Sequence, residues 1–262
     1  MNTTSEFELL FLGTGTSTGV PMIGCECEVC ASNDTRDWRR RSAAYVRAGG
    51  KGILIDTPPD LREQALTFRV REVDAVLVTH SHADHLMGFD DIRRFNTINK
   101  GVLPIYALPE VLAEIRRVFH YVGETPVAGL YRPLAEFRGV SGAFGVGGAT
   151  VTPVPVKHGS SHTCGFRIDC EGRSLGYVPD CSELPETAFA LLQNLDVMVL
   201  DALRDRPHAT HFTIADSLAA LERIAAKRSY LIHMCHDITH EALQSRLPKN
   251  TFASHDGLRV SI

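Results

Sequence analysis

The chain reads as a layered protein of the α/β or α+β class. Three observations predict it. Short apolar runs of strand length alternate with amphipathic helical patterns. No low-complexity tract, heptad array or 20–50-residue repeat interrupts that alternation, which argues against a solenoid or propeller. Several of the apolar runs also stop at a histidine or an aspartate, as strands do when they deliver side chains to one rim of a sheet.

The elements follow in order. Phe7–Leu12 is a strand closed by Gly13-Thr14-Gly15. Ser42–Arg47 and Gly52–Asp56 form a hairpin, with Gly49-Gly50 supplying the turn. Asp74–Thr79 and Pro104–Ala107 are short strands, and Pro109 opens a helix that runs to about His120. Gly139–Gly148 is glycine-rich and is expected to be a mobile loop. Thr150–Lys157 is a strand whose Pro153 and Pro155 belong on an edge or at a distortion. Gly165–Cys170 and Ser174–Val178 form a second hairpin, Asp196–Asp201 and Ser229–His233 are further strands, and Thr213–Lys227 is a helix with apolar residues at three- and four-residue spacing. No stretch reads as a linker, so one domain over 1–262 is expected, with a distinct loop at about 24–31.

Composition narrows the class. Of 262 residues, 44% are hydrophobic and 22% charged, enough apolar material for a large core. A net charge of -4 and pI near 6.3 argue against long nucleic-acid tracts as the main partner. Arg36, Arg39, Arg40 and Arg41 could form a local basic patch, and solvated surface is the plainer reading. Met1 to Glu8 carries no basic and apolar leader, and no run approaches the ~20 apolar residues that span a bilayer, so a cytoplasmic location is expected. The oligomeric expectation is the commonest one, a homodimer.

The chemistry concentrates in Thr79-His80-Ser81-His82-Ala83-Asp84-His85. Three imidazoles and a carboxylate follow directly on the apolar run Asp74–Val78, where a loop can curl them around a cation. Imidazole with carboxylate suits zinc, manganese or iron, and the sequence does not choose among them. Three later apolar segments also end on metal-binding residue types: Val151–Lys157 at His158, Leu175–Pro179 at Asp180 and Ser229–Ile232 at His233. Singly each is weak; together they make a seven-residue set.

On these residues the sequence resembles the metallo-β-lactamase superfamily over nearly its whole length. The resemblance implies a four-layer αββα sandwich with two metals at one edge. By it, His80, His82 and His158 hold one ion, Asp84, His85 and His233 the other, and Asp180 bridges them. Phe11-Leu12-Gly13-Thr14-Gly15 is similar to the opening of the ribonuclease Z-like branch. Asp56, ending Ile53–Ile55, matches a recurrent acidic position and would orient a ligand histidine, a turn aspartate before Pro58-Pro59 being the alternative.

Seven cysteines in a chain of this size read as metal-binding rather than as a disulfide framework where three of them crowd together, at Cys25, Cys27 and Cys30. A closed zinc site needs a fourth ligand; His236 is the candidate and Cys235 the alternative. The Cys-x-Cys-x-x-Cys pattern resembles the cyclic-phosphate phosphodiesterases of the bacterial carbon–phosphorus lyase pathway, in which a histidine just past the last catalytic ligand completes a structural zinc site. A cofactor-biosynthesis branch shares the cysteines and lacks the full histidine set. The same resemblance makes His211 a general acid or transition-state stabiliser near the leaving group, with His208 as competitor.

The expectation is therefore a hydrolase that uses two divalent ions, zinc or manganese before iron, to cleave a small phosphodiester, with a 1,2-cyclic ribosyl phosphate as the sharpest case and one further zinc as a structural staple. The rivals are a tRNA 3′-processing endoribonuclease, a thioester, lactam or lactone hydrolase of the same fold, and a binding module that has kept the fold without activity.

Overall fold

The computed structural model describes residues 7–262. The polar N-terminal stretch read above as carrying no leader falls largely at residues 1–6, outside the described residues.

The first half of the chain gives β1 (Glu8–Gly13), β2 (Ala43–Ala48), β3 (Lys51–Ile55), α1 (Leu61–Phe68), β4 (Ala75–Leu77), α2 (Ala83–Leu86), α3 (Ile92–Asn99), β5 (Leu103–Ala107), α4 (Pro109–Val118) and β6 (Ala135–Gly139). The second half gives β7 (Phe144–Val146), β8 (Ala149–Pro155), β9 (Cys164–Cys170), β10 (Arg173–Val178), α5 (Glu186–Leu191), β11 (Val197–Asp201), α6 (Ile214–Ile224), β12 (Arg228–Ile232), α7 (His240–Arg246) and β13 (Thr251–Ala253), and β14 (Arg259–Ser261) returns to the first sheet. Two seven-stranded sheets result, ordered β14-β1-β2-β3-β4-β5-β6 and β13-β12-β11-β10-β9-β8-β7.

Alternation along the strands explains the layering. Leu9, Phe11, Ile53, Ile55 and Leu77 of the first sheet meet Phe166, Ile168, Tyr177, Val199 and Ile232 of the second in one buried core between the sheets. The opposite faces carry Leu54, Val76 and Ile105, covered by Leu61, Phe95 and Ile115 of the first set of helices. On the far side, Met198, Leu200 and Leu231 are covered by Ala188, Leu221 and Leu243 of α5, α6 and α7. The molecule is thus helix, sheet, sheet, helix, the sandwich the resemblance implied.

Local chemistry fixes the ends. Gly49 and Gly50 take φ of 57° and 75°, the left-handed pair a two-residue hairpin turn requires. Pro109 opens α4, as the sequence indicates. Thr213 caps α6 through a capping box with Asp216, and the helix ends at Ile224, three residues short of the expected end, with Ala225 as its cap at φ 55°.

Two expectations are corrected or sharpened. Residues 139–148 are not a loop throughout: Phe144–Val146 is β7, which pairs with Ala149–Val151. Phe144 stacks on Tyr106 at 4.4 Å between centroids, a contact the surrounding glycines concealed. Pro153 and Pro155 sit in an interior strand by order. Yet β7 covers only the first three residues of β8, so both prolines face an unpaired edge. Among the described residues no helix is long and apolar enough to cross a membrane.

Candidate metal centre

β3 and β4 run parallel, as do β10, β11 and β12, and β8 shares the direction of β10 through two antiparallel pairings. Their C-terminal ends therefore open on one rim, which receives Asp56, His80, His158, Asp180, Asp201 and His233. Asp56 and His233 leave their strands with φ of 65° and 61°, an uncommon turn for a residue with a Cβ and one that recurs where a side chain must be aimed. Gly15 lets the loop after β1 approach this rim: a Cβ there would lie 2.5 Å from the Arg39 carbonyl oxygen, and Thr16 N–H reaches the Met234 carbonyl next to His233.

All seven residues of the expected set meet at this rim. His80, His82 and His158 form one close group, Asp84, His85 and His233 another, and Asp180 lies with His80 and His85 between them. Nε2 of His158 is 3.1 Å from Nδ1 of His82 and 3.6 Å from Asp180 Oδ2. Nε2 of His85 is 3.2 Å from Asp180 Oδ1 and 3.6 Å from Asp84 Oδ2, and Nε2 of His233 is 3.7 Å from Asp84 Oδ2 and 3.5 Å from Asp180 Oδ2. Donors each ~2.1 Å from a tetrahedral ion stand ~3.4 Å apart, so the spacing fits.

The other ring nitrogens are engaged in all but His233, whose Nδ1 stands 3.9 Å from Asp201 Oδ1 without a hydrogen bond. His85 Nδ1 is 2.8 Å from Asp56 Oδ2, whose carboxylate also accepts from the Thr79 amide and hydroxyl, both at 2.8 Å. Thr79 Oγ1 contacts His80 Nδ1 (2.9 Å), Ser161 Oγ contacts His82 Nε2 (2.7 Å), and His158 Nδ1–H donates to the Thr210 carbonyl (2.7 Å). The rings of His80, His82, His85 and His158 are thus fixed with one nitrogen turned to the cavity. Asp56 is the orienting group rather than a turn aspartate.

Electrostatics favour a cation. His80 Nε2, His85 Nε2, His233 Nε2 and Asp180 Oδ1 are buried without a hydrogen-bond partner among the described residues, a costly arrangement unless an ion satisfies them. Burial holds His80 well below the usual imidazole range and takes His158 down to about 4, leaving both as neutral donors. Burial opposes the charge on Asp180, but His233 and His85 overcome it and keep the carboxyl well below its usual range. Asp84 is likewise held low, against burial, by His233 and His85. Against burial, Asp180 and Asp56 hold His85 well above the usual imidazole range, so a divalent ion bound by these two carboxylates and the imidazoles would displace its proton.

His211 lies beside this cavity, 4.7 Å from His158 and 4.5 Å from His233 between ring centroids. Its Nδ1 is 2.8 Å from Asp201 Oδ2, which also accepts from the Cys181 amide. Sequence reasoning missed Asp201, which ends β11 as an unremarked polar residue. The signal was available: it is one more apolar run stopping at a carboxylate. Burial pushes Asp201 well above the usual carboxyl range and His211 below the usual imidazole range, so the neutral pair is favoured. His208 turns its Nδ1 to Thr210 (3.2 Å) and stays 5.1 Å from His211.

The cysteine loop forms a second cluster. Sγ of Cys25, Cys27 and Cys30 stand 3.3, 3.3 and 3.5 Å from His236 Nδ1, within tetrahedral zinc spacing. No disulfide joins the cysteines of the described residues. Cys235 is outside the cluster, and burial raises its thiol to about 11. The Cys30 amide, the largest influence, brings Cys27 down to about 6. Arg39, expected on a solvated face, is instead fully buried: it donates to the Cys235 and Ile238 carbonyls and pairs with Asp37 at 3.3 Å. Arg36, Arg40 and Arg41 are paired with Asp34, Glu63 and Asp60, so no free basic patch forms here.

The family model described as a beta-lactamase superfamily domain matches residues 51–234, which contain every residue of the cavity. The chain belongs to that superfamily. A solved structure described as a new diphosphatase from the PhnP family is 39% identical, covers 98% of both chains and superposes with a TM-score of 0.89. An octanoyltransferase of Porphyromonas gingivalis is 35% identical over 259 residues, 97% of this chain but 51% of the relative, so the chain spans about half of that protein. Coenzyme PQQ synthesis protein B of Methylobacterium nodulans is 28% identical over 74% of this chain and 72% of its own length.

Proposed function

We propose that the chain is a metal-dependent phosphodiesterase acting on a small phosphodiester, a 1,2-cyclic ribosyl phosphate being the sharpest case. The observation that carries this reading is the Asp201–His211 pair, 2.8 Å apart, beside a cavity whose two expected donor groups are complete without His211, although His211 also stands within ligand spacing of His158 and Asp180. Thioester cleavage at such a cavity expels a thiolate and has less use for it, whereas a phosphodiester must expel an alkoxide, which a positioned proton donor serves. The similarity to a diphosphatase points to phosphoryl chemistry as well.

His80, His82 and His158 would hold one divalent ion, zinc or manganese, Asp84, His85 and His233 a second, and Asp180 would face both. When bound, such a pair supplies Lewis acidity to a phosphoryl oxygen and a more acidic water. The protein's own residues do the rest. Asp56, Thr79, Ser161 and the Thr210 carbonyl keep the imidazoles aimed at the cavity. With Asp201 carrying the shared proton, His211 presents Nε2–H to the departing oxygen and can draw a proton back at Nδ1. Cys25, Cys27, Cys30 and His236 would hold a zinc that anchors the segment between His233 and His236.

The test is turnover by zinc- or manganese-loaded protein on bis(p-nitrophenyl) phosphate and on ribose cyclic phosphates. Hydrolysis of either is expected, and an inert, fully metallated protein would overturn the proposal.

A further inference from the structure

The helix layer that covers the first sheet is open between α1 and α3, where a groove of about 490 Å³ runs. Its floor is Leu61 and Phe95, both buried in the core beneath the helices. Its walls recur at three- and four-residue spacing. Arg62, Ala65, Leu66 and Arg69 line it from α1 and its cap, and Asp91, Arg94, Phe95 and Ile98 from α3 and its cap. Leu66 is 63% exposed and Ile98 40%, so each wall holds a large apolar side chain in water. None of the groove's residues belongs to the metal cavity or the cysteine loop.

The charge around the groove is one-sided. Arg62, Arg69, Arg71 and Arg94 line it against a single carboxylate, Asp91. All four arginines are exposed, and among the described residues no carboxylate forms an ion pair with any of them. Other charges on these helices are matched: Glu63 takes Arg40, and Arg93 takes Asp90 and lies over the Tyr131 ring. The chain as a whole carries a net charge of -4, so the excess is local. Arg62 and Arg69 are seven residues apart, ~10 Å along a helix, and Arg94 stands on the other wall. A single acidic headgroup reaches one or two of these positions. A helix with carboxylates flanking an apolar stripe reaches both walls at once while the stripe covers Leu66 and Ile98.

We propose that the α1–α3 groove docks an acidic amphipathic helix of a partner protein, its apolar stripe on Leu66, Ile98 and the floor and its carboxylates on Arg62, Arg69, Arg71 and Arg94. The apolar contact supplies the affinity, and the arginines choose an acidic helix over a basic one. The docking surface goes beyond the catalytic reading and does not depend on it.

The probe is a fluorescein-labelled peptide of about 16 residues, long enough to hold a helix, with leucines at i, i+3, i+4 and i+7 and glutamates on both flanks. It is titrated with the full chain and followed by anisotropy, beside a lysine-for-glutamate version and a scrambled one. The acidic peptide is expected to bind with a Kd below about 100 μM at low salt and to weaken as salt rises. Leu66→Ser with Ile98→Ser should weaken it at least ~10-fold, and Arg62→Glu with Arg69→Glu should reverse the preference, so that the lysine peptide binds more tightly. All four positions are exposed, and a melting temperature close to that of the wild type shows that each variant folds. No binding of the acidic peptide, a lysine or scrambled peptide held as tightly by the wild type, or affinity unchanged in both variants would overturn the proposal. Saturable binding of laurate or of phosphatidylglycerol vesicles without that of the acidic peptide would overturn it in favour of a lipid site. A wild-type dimer that Leu66→Ser with Ile98→Ser dissociates in sedimentation would overturn it in favour of a second copy of this chain.

Discussion

The strand-end cavity and the cysteine loop hold similar donors, yet the fold treats them in opposite ways. In the cavity, His80, His158, Asp180 and His233 are almost fully buried at the ends of strands from both sheets and His85 in α2, and most of the rings are braced by a separate partner. The loop has three buried apolar residues, Val20, Val29 and Cys30, and owes its shape to the convergence of thiols on His236. In the first case the fold builds the site; in the second the site must build the fold, as small metal-stapled segments do. The difference predicts that damage to the cavity abolishes activity with little loss of structure, and that damage to the loop does the reverse.

The largest effect should come from Asp180→Asn. It removes the carboxylate that faces both donor groups and should lower kcat at least ~10³-fold with a near-native melting temperature. A variant that kept activity within ten-fold would break the comparison. His211→Ala should cost about 10²–10⁴ in kcat while both metal groups stay loaded, because His211 acts beside the cavity and not within it. Metal loss in that variant would instead make it a ligand. Asp56→Asn reaches the cavity only through His85 and should cost about 10–100-fold in metal affinity, read by competition with a chelating dye. The smallest effect on turnover should follow Cys27→Ser: kcat within about ten-fold, but a melting temperature lower by roughly 5–10 °C, at about 2–4 °C per kcal/mol for a chain of this size. Cleavage by protease within residues 14–34 would localise the loosening.

These contrasts also explain what the sequence disclosed. The cavity was legible because each ligand follows a buried strand, so hydrophobic runs pointed to their own termini: Val78 leads to Thr79-His80, and Ile232 to His233. His236 emerged from the cysteine spacing and its resemblance, though not from any local pattern. Partners that act only through space stayed hidden. Ser161 and the Thr210 carbonyl have no motif, and Arg39 read as surface because three other basic residues surround it. The glycines around Phe144 masked β7. Short helices such as α1, two turns long and without a side-chain N-cap bond, carried too little periodicity to be read.

The most direct test of the account is a metal count by elemental analysis on wild type, Asp84→Ala with His85→Ala, and Cys27→Ser with Cys30→Ser. About three ions per chain are expected in the wild type, with the first double variant losing cavity metal and activity while keeping the loop zinc. The second should lose the loop zinc alone and remain active. A wild type that binds a single ion, or a cysteine variant that sheds every ion at once, would contradict the separation of a fold-built centre from a metal-built loop.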